Sequence, residues 1–288
     1  MRTRSNRSVS LLTWGFNEEL LVDEFFEKAI NLLDDTVNEF EIIFVDDGST
    51  DNTPLLLRTN AAKDSRIRII TNKENLNVGL SCRVAINAAS KEILFWQTMD
   101  WSYDLTNLKI FLSLLDHYDV VQGIRPTPIR LLSYIPVIKS IYRIRTRSDS
   151  FYKAIISLVN YYLLRTLFGA PFQDFQNITF YRTALVQSLS VNAVTPFINP
   201  ELLIRTYYQG CSLIEVPIPF IPRILGMSKG TKLPIVIKTL VDIIKNWLLW
   251  GWNIKAAGNR NKIARVSQPF ELPEKVLKLT IPLFSEFR

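Results

Sequence analysis

Phe40-Glu41-Ile42-Ile43-Phe44-Val45-Asp46-Asp47-Gly48-Ser49-Thr50-Asp51-Asn52-Thr53 is the stretch on which the fold turns. Phe40 to Val45 is a near-continuous apolar run, as expected of a strand buried on both faces. Two adjacent carboxylates then leave the strand. Gly48 permits a tight turn, and Ser49 or Asp51 can cap the helix that the pattern predicts over Asp51 to Ala62. Outward from this unit the same alternation repeats. Val9 to Trp14 is a predicted strand and Leu20 to Leu33 a helix. Arg66 to Thr71, Ile93 to Met99 and Val120 to Gly123 are further strands, separated by helices over Leu80 to Ala89 and Leu105 to Leu115. Strands alternating with helices imply an α/β fold with a mostly parallel sheet flanked by helices. Such sheets bind ligands beyond the carboxyl ends of their strands.

The second half is less regular. Ser150 to Phe168 has a long helical pattern, Ile178 to Tyr181 a short strand pattern, and a helix follows from Ala184. Glu201 to Tyr208 is helical and Leu213 to Pro217 a strand. No internal repeat or low-complexity linker interrupts the chain. Residues 1–230 therefore read as one catalytic-sized domain, and 231–288 as an amphipathic appendage.

Composition narrows the class. The chain has 288 residues, 48% hydrophobic and 21% charged, so a sizeable core is expected and wholesale disorder is not. A net charge of +7 fits a phosphorylated substrate, an anionic lipid or a nucleic acid. Arginines and lysines crowd the stretch from Arg125 to Arg147, either as a solvated face or as a binding surface. No interleaved aromatic and basic recognition motif stands out, which counts against nucleic acid. Cys82 and Cys211 lie far apart in no metal-ligand spacing, so a reducing compartment is expected. The first residues carry arginines but no apolar run of signal-peptide length. No uninterrupted apolar stretch is long enough to span a bilayer. These features predict a cytoplasmic protein. The single histidine, His117, reads as a surface residue rather than a catalyst.

The Asp46–Asp47 pair has two readings on its own. Either a carboxylate accepts a hydrogen bond from a nucleobase N–H or a ribose hydroxyl, or the acids are the solvated side chains of a capped turn. No G-x-G-x-x-G follows the first strand, which argues against a dinucleotide dehydrogenase. With Asn17-Glu18 after the first strand, Asp46-Asp47-Gly48-Ser49 after the second and the glycine turn Asn77-Val78-Gly79-Leu80, the sequence resembles family-2 glycosyltransferases of the GT-A fold. The resemblance runs from residue 9 to about 230 and is strongest to the polyprenyl-phosphate glycosyltransferases.

That resemblance implies a set of site residues. Asn17, Glu18, Asp46 and Asp47 would bind a UDP- or GDP-sugar donor. Asp100 matches the first acid of the family's D-x-D motif, which holds Mg²⁺ or Mn²⁺ against the donor diphosphate. Ser102 replaces the second acid, and Asp104 stands where many relatives have a glutamine. Either Asp100 and Asp104 share the metal, with Ser102 adding a hydroxyl, or metal binding is weak and activity is lost. Glu215-Val216-Pro217-Ile218, Arg223 and Gly226-Met227-Ser228-Lys229 match a string whose arginine and lysine contact the diphosphate. Arg125, Lys153 and Ser157 align with residues that hold a polyprenyl phosphate acceptor, although Lys153 and Ser157 also suit a plain amphipathic helix. Asp174 matches a family aspartate in a region that borders the sugar, and Glu201 stands where a family acid opens the helix beneath the active site.

The implied reaction is an in-line displacement at the anomeric carbon with inversion. A phosphate acceptor is already ionised and needs positioning more than a base. A saccharide or protein hydroxyl acceptor would need a carboxylate base, for which Asp174 and Glu201 are the candidates. A silent nucleotide-sugar-binding protein is the reading from another class, and Ser102 motivates it.

Lys232 to Ile254 supplies a separate clue. Leu233, Val236, Ile237, Leu240, Val241, Ile244, Trp247 and Leu248 recur at helical spacing. Lys238, Asp242 and Lys245 fall together on the opposite face, and Trp247, Trp250 and Trp252 enrich one end. The segment reads either as a helix lying in a membrane interface or as one packed on the catalytic domain. The first reading makes a membrane surface a partner and peripheral attachment the expectation.

Overall fold

The computed structural model describes residues 4–124, 151–219, 221, 233–254 and 263–266. Arg125, Arg223 and Lys229 lie outside the described residues, as do the side chains of Lys153 and Ser157. The first half of the chain runs β1 (Ser5–Gly15), α1 (Val22–Thr36), β2 (Val37–Asp46), α2 (Thr53–Lys63), β3 (Ile67–Thr71), α3 (Asn77–Ala88), β4 (Ile93–Trp96), α4 (Leu108–Leu114) and β5 (Val120–Ile124). There follow α5 (Phe151–Phe168), β6 (Thr179–Arg182), α6 (Thr183–Gln187), α7 (Ile198–Tyr208), β7 (Leu213–Pro217), α8 (Leu233–Asn246) and a two-residue β8 (Ala264–Arg265).

The strands form one sheet in the order β3-β2-β1-β4-β6-β5-β7-β8. Every pairing is parallel except those of β6, which runs antiparallel to both β4 and β5. The apolar run that begins at Phe40 is buried continuously to Asp46, as a strand covered on both faces requires. Phe25, Phe26, Phe44, Phe95, Phe111 and Phe180 fill the layers between sheet and helices. Gly15, Asp46 and Thr71 stand side by side at the carboxyl ends of β1, β2 and β3. Since β6 alone is reversed, the ends of β5 and β7 reach the same edge, and every loop expected to carry function leaves from it.

Away from that edge a carboxylate ties β1, β2 and β3 to the loop after α3. Glu41 is 4% exposed. It accepts hydrogen bonds from Ser10 Oγ at 2.7 Å, the Ser90 amide at 2.6 Å and Arg68 Nη1 at 2.5 Å. Burial alone would raise its pKa, but these donors outweigh it and hold the carboxyl below its ordinary value. A depressed folded-state pKa contributes stability above the unfolded value, about 4.3, that is lost as pH falls through the folded value. Glu41→Gln is therefore expected to flatten the acid limb of stability against pH, measured by denaturant unfolding between pH 2 and pH 6. An acid limb as steep as that of the wild type would refute the assignment.

Two expectations need correction. The fourth strand ends at Trp96 rather than Met99, because the side chain of Gln97 draws the chain into a turn. The predicted helix to Ile254 is not a uniform α-helix. α8 stops at Asn246, a π-turn spans Trp247–Gly251, and one α-turn follows over Trp252–Ile254. Gly251 lies so close to Phe168 that a Cβ there would come within 2.4 Å of its ring, and Trp247 Nε1 donates to the Leu167 carbonyl at 3.0 Å. Fitting both contacts against the end of α5 is a sufficient reason for the extra residue in the turn.

The orientation of α8 also departs from the pattern. Asp242 is buried, not solvated beside Lys238 and Lys245. Its Oδ2 accepts from the Val194 and Thr195 amides at 3.0 and 3.1 Å and from Thr195 Oγ1 at 2.7 Å. Its Oδ1 accepts from Asn246 Nδ2 at 2.9 Å. The helix docks through these polar groups and Ile243, and turns outward an apolar strip that includes Ile237, Leu240, Val241, Ile244, Leu248 and Trp252.

Candidate active site

The turn after β2 is stitched to the loop after β1. Asn17 sits at φ +54°, a left-handed conformation that asparagine tolerates better than most residues. Its amide donates to Ser49 Oγ at 2.9 Å and its Oδ1 accepts the Thr50 amide at 2.8 Å. The Glu18 amide donates to Thr53 Oγ1 at 2.9 Å. Asp51, rather than Ser49, takes the Thr53 amide at the start of α2, at 2.9 Å. Gly48 is needed where it stands: φ is +76°, and a Cβ would meet the backbone of Glu74 at 2.8 Å.

Both acids of the pair are interior, which corrects the picture of carboxylates leaving the sheet into solvent. Asp47 Oδ1 accepts from Asn72 Nδ2 at 2.9 Å, Ser81 Oγ at 2.8 Å and the Leu76 amide at 2.8 Å, while Oδ2 accepts from the Asn77 amide at 2.9 Å. It thus fixes the loop before α3 and satisfies amides at that helix's start. Asp46 Oδ1 accepts the Ser49 amide at 3.0 Å. Its Oδ2 is buried and has no hydrogen-bond partner among the described residues. Of these two carboxylates, Asp46 keeps an acceptor in reserve and Asp47 is spent on the scaffold.

Asp100 lies on the loop between β4 and α4, half-buried. Ser102 Oγ donates to Asp100 Oδ1 at 2.5 Å. Asp104 Oδ1 accepts from the Thr106 amide at 2.9 Å and from Thr106 Oγ1 at 2.6 Å, closing the turn that leads into α4. The chain after β7 runs beside this loop: the Asp104 amide donates to the Pro219 carbonyl at 3.1 Å and the Ile221 amide to the Ser102 carbonyl at 2.8 Å. Ile221 therefore lies against Ser102, two residues before Arg223 in sequence.

The loop before β6 joins the same cluster. Tyr103 Oη donates to the Gln176 carbonyl at 3.3 Å, and Asp174 Oδ1 accepts the Gln176 amide at 3.2 Å. Asp174 is 5% exposed. Glu215 anchors this loop from below, accepting the Gln173 amide at 2.5 Å and Arg265 Nε at 2.9 Å. Burial pushes its carboxyl pKa up, opposed by those two donors.

Glu201 is placed differently. It is fully buried, accepts the Asn192 and Ala193 amides and pairs with Arg205 Nε at 2.7 Å. A carboxylate enclosed by two amides and a guanidinium holds the 190s loop onto α7. It has no open path to a substrate hydroxyl in this conformation. Sequence reading also passed over Gln97, and it grouped Asp242 with two exposed lysines. Gln97 is the one amide in the run from Ile93 to Met99; for Asp242 helical spacing could not show that the 190s loop packs on it.

Among the described residues no three His, Cys, Asp or Glu side chains gather as a metal cage. Magnesium and manganese nevertheless suit a site built from one or two carboxylates plus the phosphates of a substrate. The Asp100 carboxylate with the Ser102 hydroxyl beside it is a donor set of that kind.

The sheet order, the reversed β6 and the loops gathered at one edge define a GT-A fold. The chain belongs to glycosyl transferase family 2, whose model matches residues 10–165. An uncharacterized glycosyltransferase of Haemophilus influenzae is 40% identical over 80 residues, 26% of this chain and 24% of that protein. The chain thus spans about a quarter of that relative's length. The dolichyl-phosphate hexose transferase of Haloferax volcanii is 26% identical over 210 residues, covering 72% of this chain and 80% of that one. The mannosyltransferase PcManGT of Pyrobaculum calidifontis, solved with GDP-Man and Mn²⁺, superposes with a TM-score of 0.55 at 14% identity, over 88% of this chain and 73% of that one.

Proposed function

We propose that the chain is an inverting glycosyltransferase that moves a sugar from a UDP- or GDP-sugar to a polyprenyl phosphate at the cytoplasmic face of a membrane. The observation that carries the donor half is the Asp100–Ser102 pair, set at the sheet edge beside the segment leading to Arg223. Asn17 and Glu18 line the neighbouring loops as hydrogen-bond groups for the nucleoside, while Asp46, interior, holds the turn beneath them through the Ser49 amide. Asp47 supports them through the start of α3.

The acceptor oxygen attacks the anomeric carbon as the bond to the nucleoside diphosphate breaks, and the bonding pair leaves with the diphosphate. Charge accumulates on that leaving group, so groups that meet it more strongly in the transition state accelerate the step. A divalent cation bound at Asp100, with Ser102 and Asp104 in support, would neutralise that charge as a Lewis acid. Arg223 and Lys229 act on the same phosphates. Arg125, Lys153 and Ser157 hold the acceptor phosphate; Lys153 and Ser157 stand one turn apart on α5 and so share a face. An ionised phosphate needs no base. For a hydroxyl acceptor, Asp174 is the better placed carboxylate, since Glu201 is enclosed.

The test is transfer from a panel of UDP- and GDP-sugars to polyprenyl phosphate, with and without Mn²⁺. Lys153→Ala and Ser157→Ala are expected to lower transfer about tenfold each with little change in donor affinity. Unchanged transfer to the lipid in both variants, or transfer to a saccharide alone, would replace the acceptor assignment. Ser102 and the turn-bound Asp104 favour the silent binding protein as the second reading, and donor binding without turnover across metals and acceptors would establish it.

Membrane attachment is supported by α8. Among the described residues no helix is long and apolar enough to cross a membrane. The outward strip around Ile244 is apolar, with the exposed Lys238 and Lys245 along its flank, as suits a helix lying among anionic headgroups. The protein is expected to float with liposomes containing anionic lipid. Ile244→Glu combined with Leu248→Glu should move most of it to the soluble fraction at an unchanged melting temperature. Flotation unaffected by this pair would exclude the helix as the anchor.

A further inference from the structure

The turn carrying Asp100 is closed by two residues to which the family pattern assigns no part. Gln97, 1% exposed, stands where β4 ends. Its Nε2 donates to the Tyr103 carbonyl at 2.8 Å, and its Oε1 accepts the Thr98 amide at 3.0 Å and the Tyr103 amide at 3.3 Å. One buried amide therefore pins both ends of the loop. Inside it, the Trp101 amide donates to the Thr98 carbonyl at 2.9 Å and the Ser102 amide to Thr98 Oγ1 at 3.0 Å.

Trp101 lies at φ +53°, a left-handed conformation that is a genuine outlier for a bulky side chain. Its indole meets Phe25 of α1 edge-on, with ring centroids 5.7 Å apart. The anchored ring and the pinned loop ends together hold the backbone there. The consequence falls on the residues either side. In an extended strand, side chains two apart share a face but stand roughly 6–7 Å from each other. Here the reversal at Trp101 brings Ser102 Oγ to 2.5 Å from Asp100 Oδ1.

We propose that Gln97 and Trp101 are positioning residues: the buried amide and the anchored left-handed turn aim the Asp100 carboxylate and the Ser102 hydroxyl at the donor diphosphate and its divalent cation. The inference rests on the reading of Asp100 as the donor-side metal residue. Substitutions that loosen the loop should act on metal-linked nucleotide binding and on kcat, rather than on fold alone.

The experiment uses the full chain with Mn²⁺ and either UDP or GDP as probes. Gln97→Leu removes all three amide contacts at similar volume. Trp101→Gly keeps the backbone conformation accessible but removes the anchor, and Trp101→Phe keeps a ring against Phe25. Free Mn²⁺ is followed by electron paramagnetic resonance, nucleotide affinity by calorimetry with and without metal, and turnover by steady-state kinetics. Gln97→Leu and Trp101→Gly are expected to weaken Mn²⁺ binding in the presence of nucleotide about tenfold and to lower kcat about 10- to 100-fold. Metal-free nucleotide affinity should stay within about threefold, and Trp101→Phe should return both quantities to within about threefold of wild type. If Gln97→Leu does not fold, Trp101→Gly and Trp101→Phe decide the matter, since that side chain is only partly buried. Folded variants with wild-type Mn²⁺ affinity and kcat overturn the proposal. Asp100→Asn is run beside them. Undiminished Mn²⁺ binding in that variant overturns the reading of Asp100 itself; weakened binding there, with wild-type behaviour in the other variants, overturns the positioning role alone.

Discussion

Asp100→Asn is expected to lower sugar transfer by a factor of about 10³ while leaving the melting temperature within a few degrees of wild type. The two halves of this expectation have separate causes. Asparagine matches aspartate in shape and still offers an oxygen to the Ser102 hydroxyl, so the contact at 2.5 Å can be kept. The residue is half-buried on a loop, and no core packing is lost. What disappears is the negative charge that would hold a divalent cation against the departing diphosphate. Removing one electrostatic stabiliser of a transition state typically costs about 10²–10³ in rate, and loss of a metal's Lewis acidity adds to that. At about 1.4 kcal/mol for each factor of ten, the expected loss corresponds to roughly 4 kcal/mol of transition-state stabilisation. Initial rates across a Mn²⁺ titration, with thermal melting alongside, check both halves. Undiminished turnover would discard the assignment.

The largest effect on stability is expected at Gly79→Ala. In an ordinary helix interior this exchange gains close to 1 kcal/mol, because alanine is the better helix former. Here the sign reverses. A Cβ on Gly79 would lie 2.2 Å from the Val194 carbonyl carbon and 2.4 Å from the Thr195 nitrogen, both backbone atoms. That backbone cannot easily retreat, since Asp242 holds the Val194 and Thr195 amides from the other side. Overpacking against a fixed neighbour costs about 3 kcal/mol at the upper end of the usual range, or roughly 5–10 °C in melting temperature for a chain of this size. Because α3 begins at Asn77, whose amide is bound by Asp47, a shift of this helix also disturbs the donor turn. Nucleotide affinity should fall together with stability. Denaturant unfolding measures the first effect and calorimetry the second; a variant as stable as wild type would show that the 190s loop can yield.

The sheet was legible because its signal is local. Phe40 to Val45 is short, apolar and β-branched enough to read as an enclosed strand, and the turn after it carries its own glycine and caps. The interior character of Asp46 and Asp47 was not legible. It depends on Asn72, Leu76, Asn77 and Ser81, which reach the pair only once β3 and α3 are in place. Asp242 illustrates the same limit on a helix. Spacing grouped it with Lys238 and Lys245, yet it lies toward the border of that face, and its burial depends on two amides some fifty residues earlier. Gln97 was legible as an oddity in an apolar run, but its three bonds require a turn that no periodicity announces.

The reversed strand β6 bears on how the chain can be divided. Among the described residues β5 pairs with β6 and β7 and with no other strand, and both follow residue 165, where the family match ends. A fragment ending there would keep β5 without either neighbour and leave one edge of β4 bare. Open strand edges of this kind are templates for association with other chains. The segment that carries the family's signature is therefore not a unit that can be excised: it borrows the middle of its own sheet from the sequence beyond it.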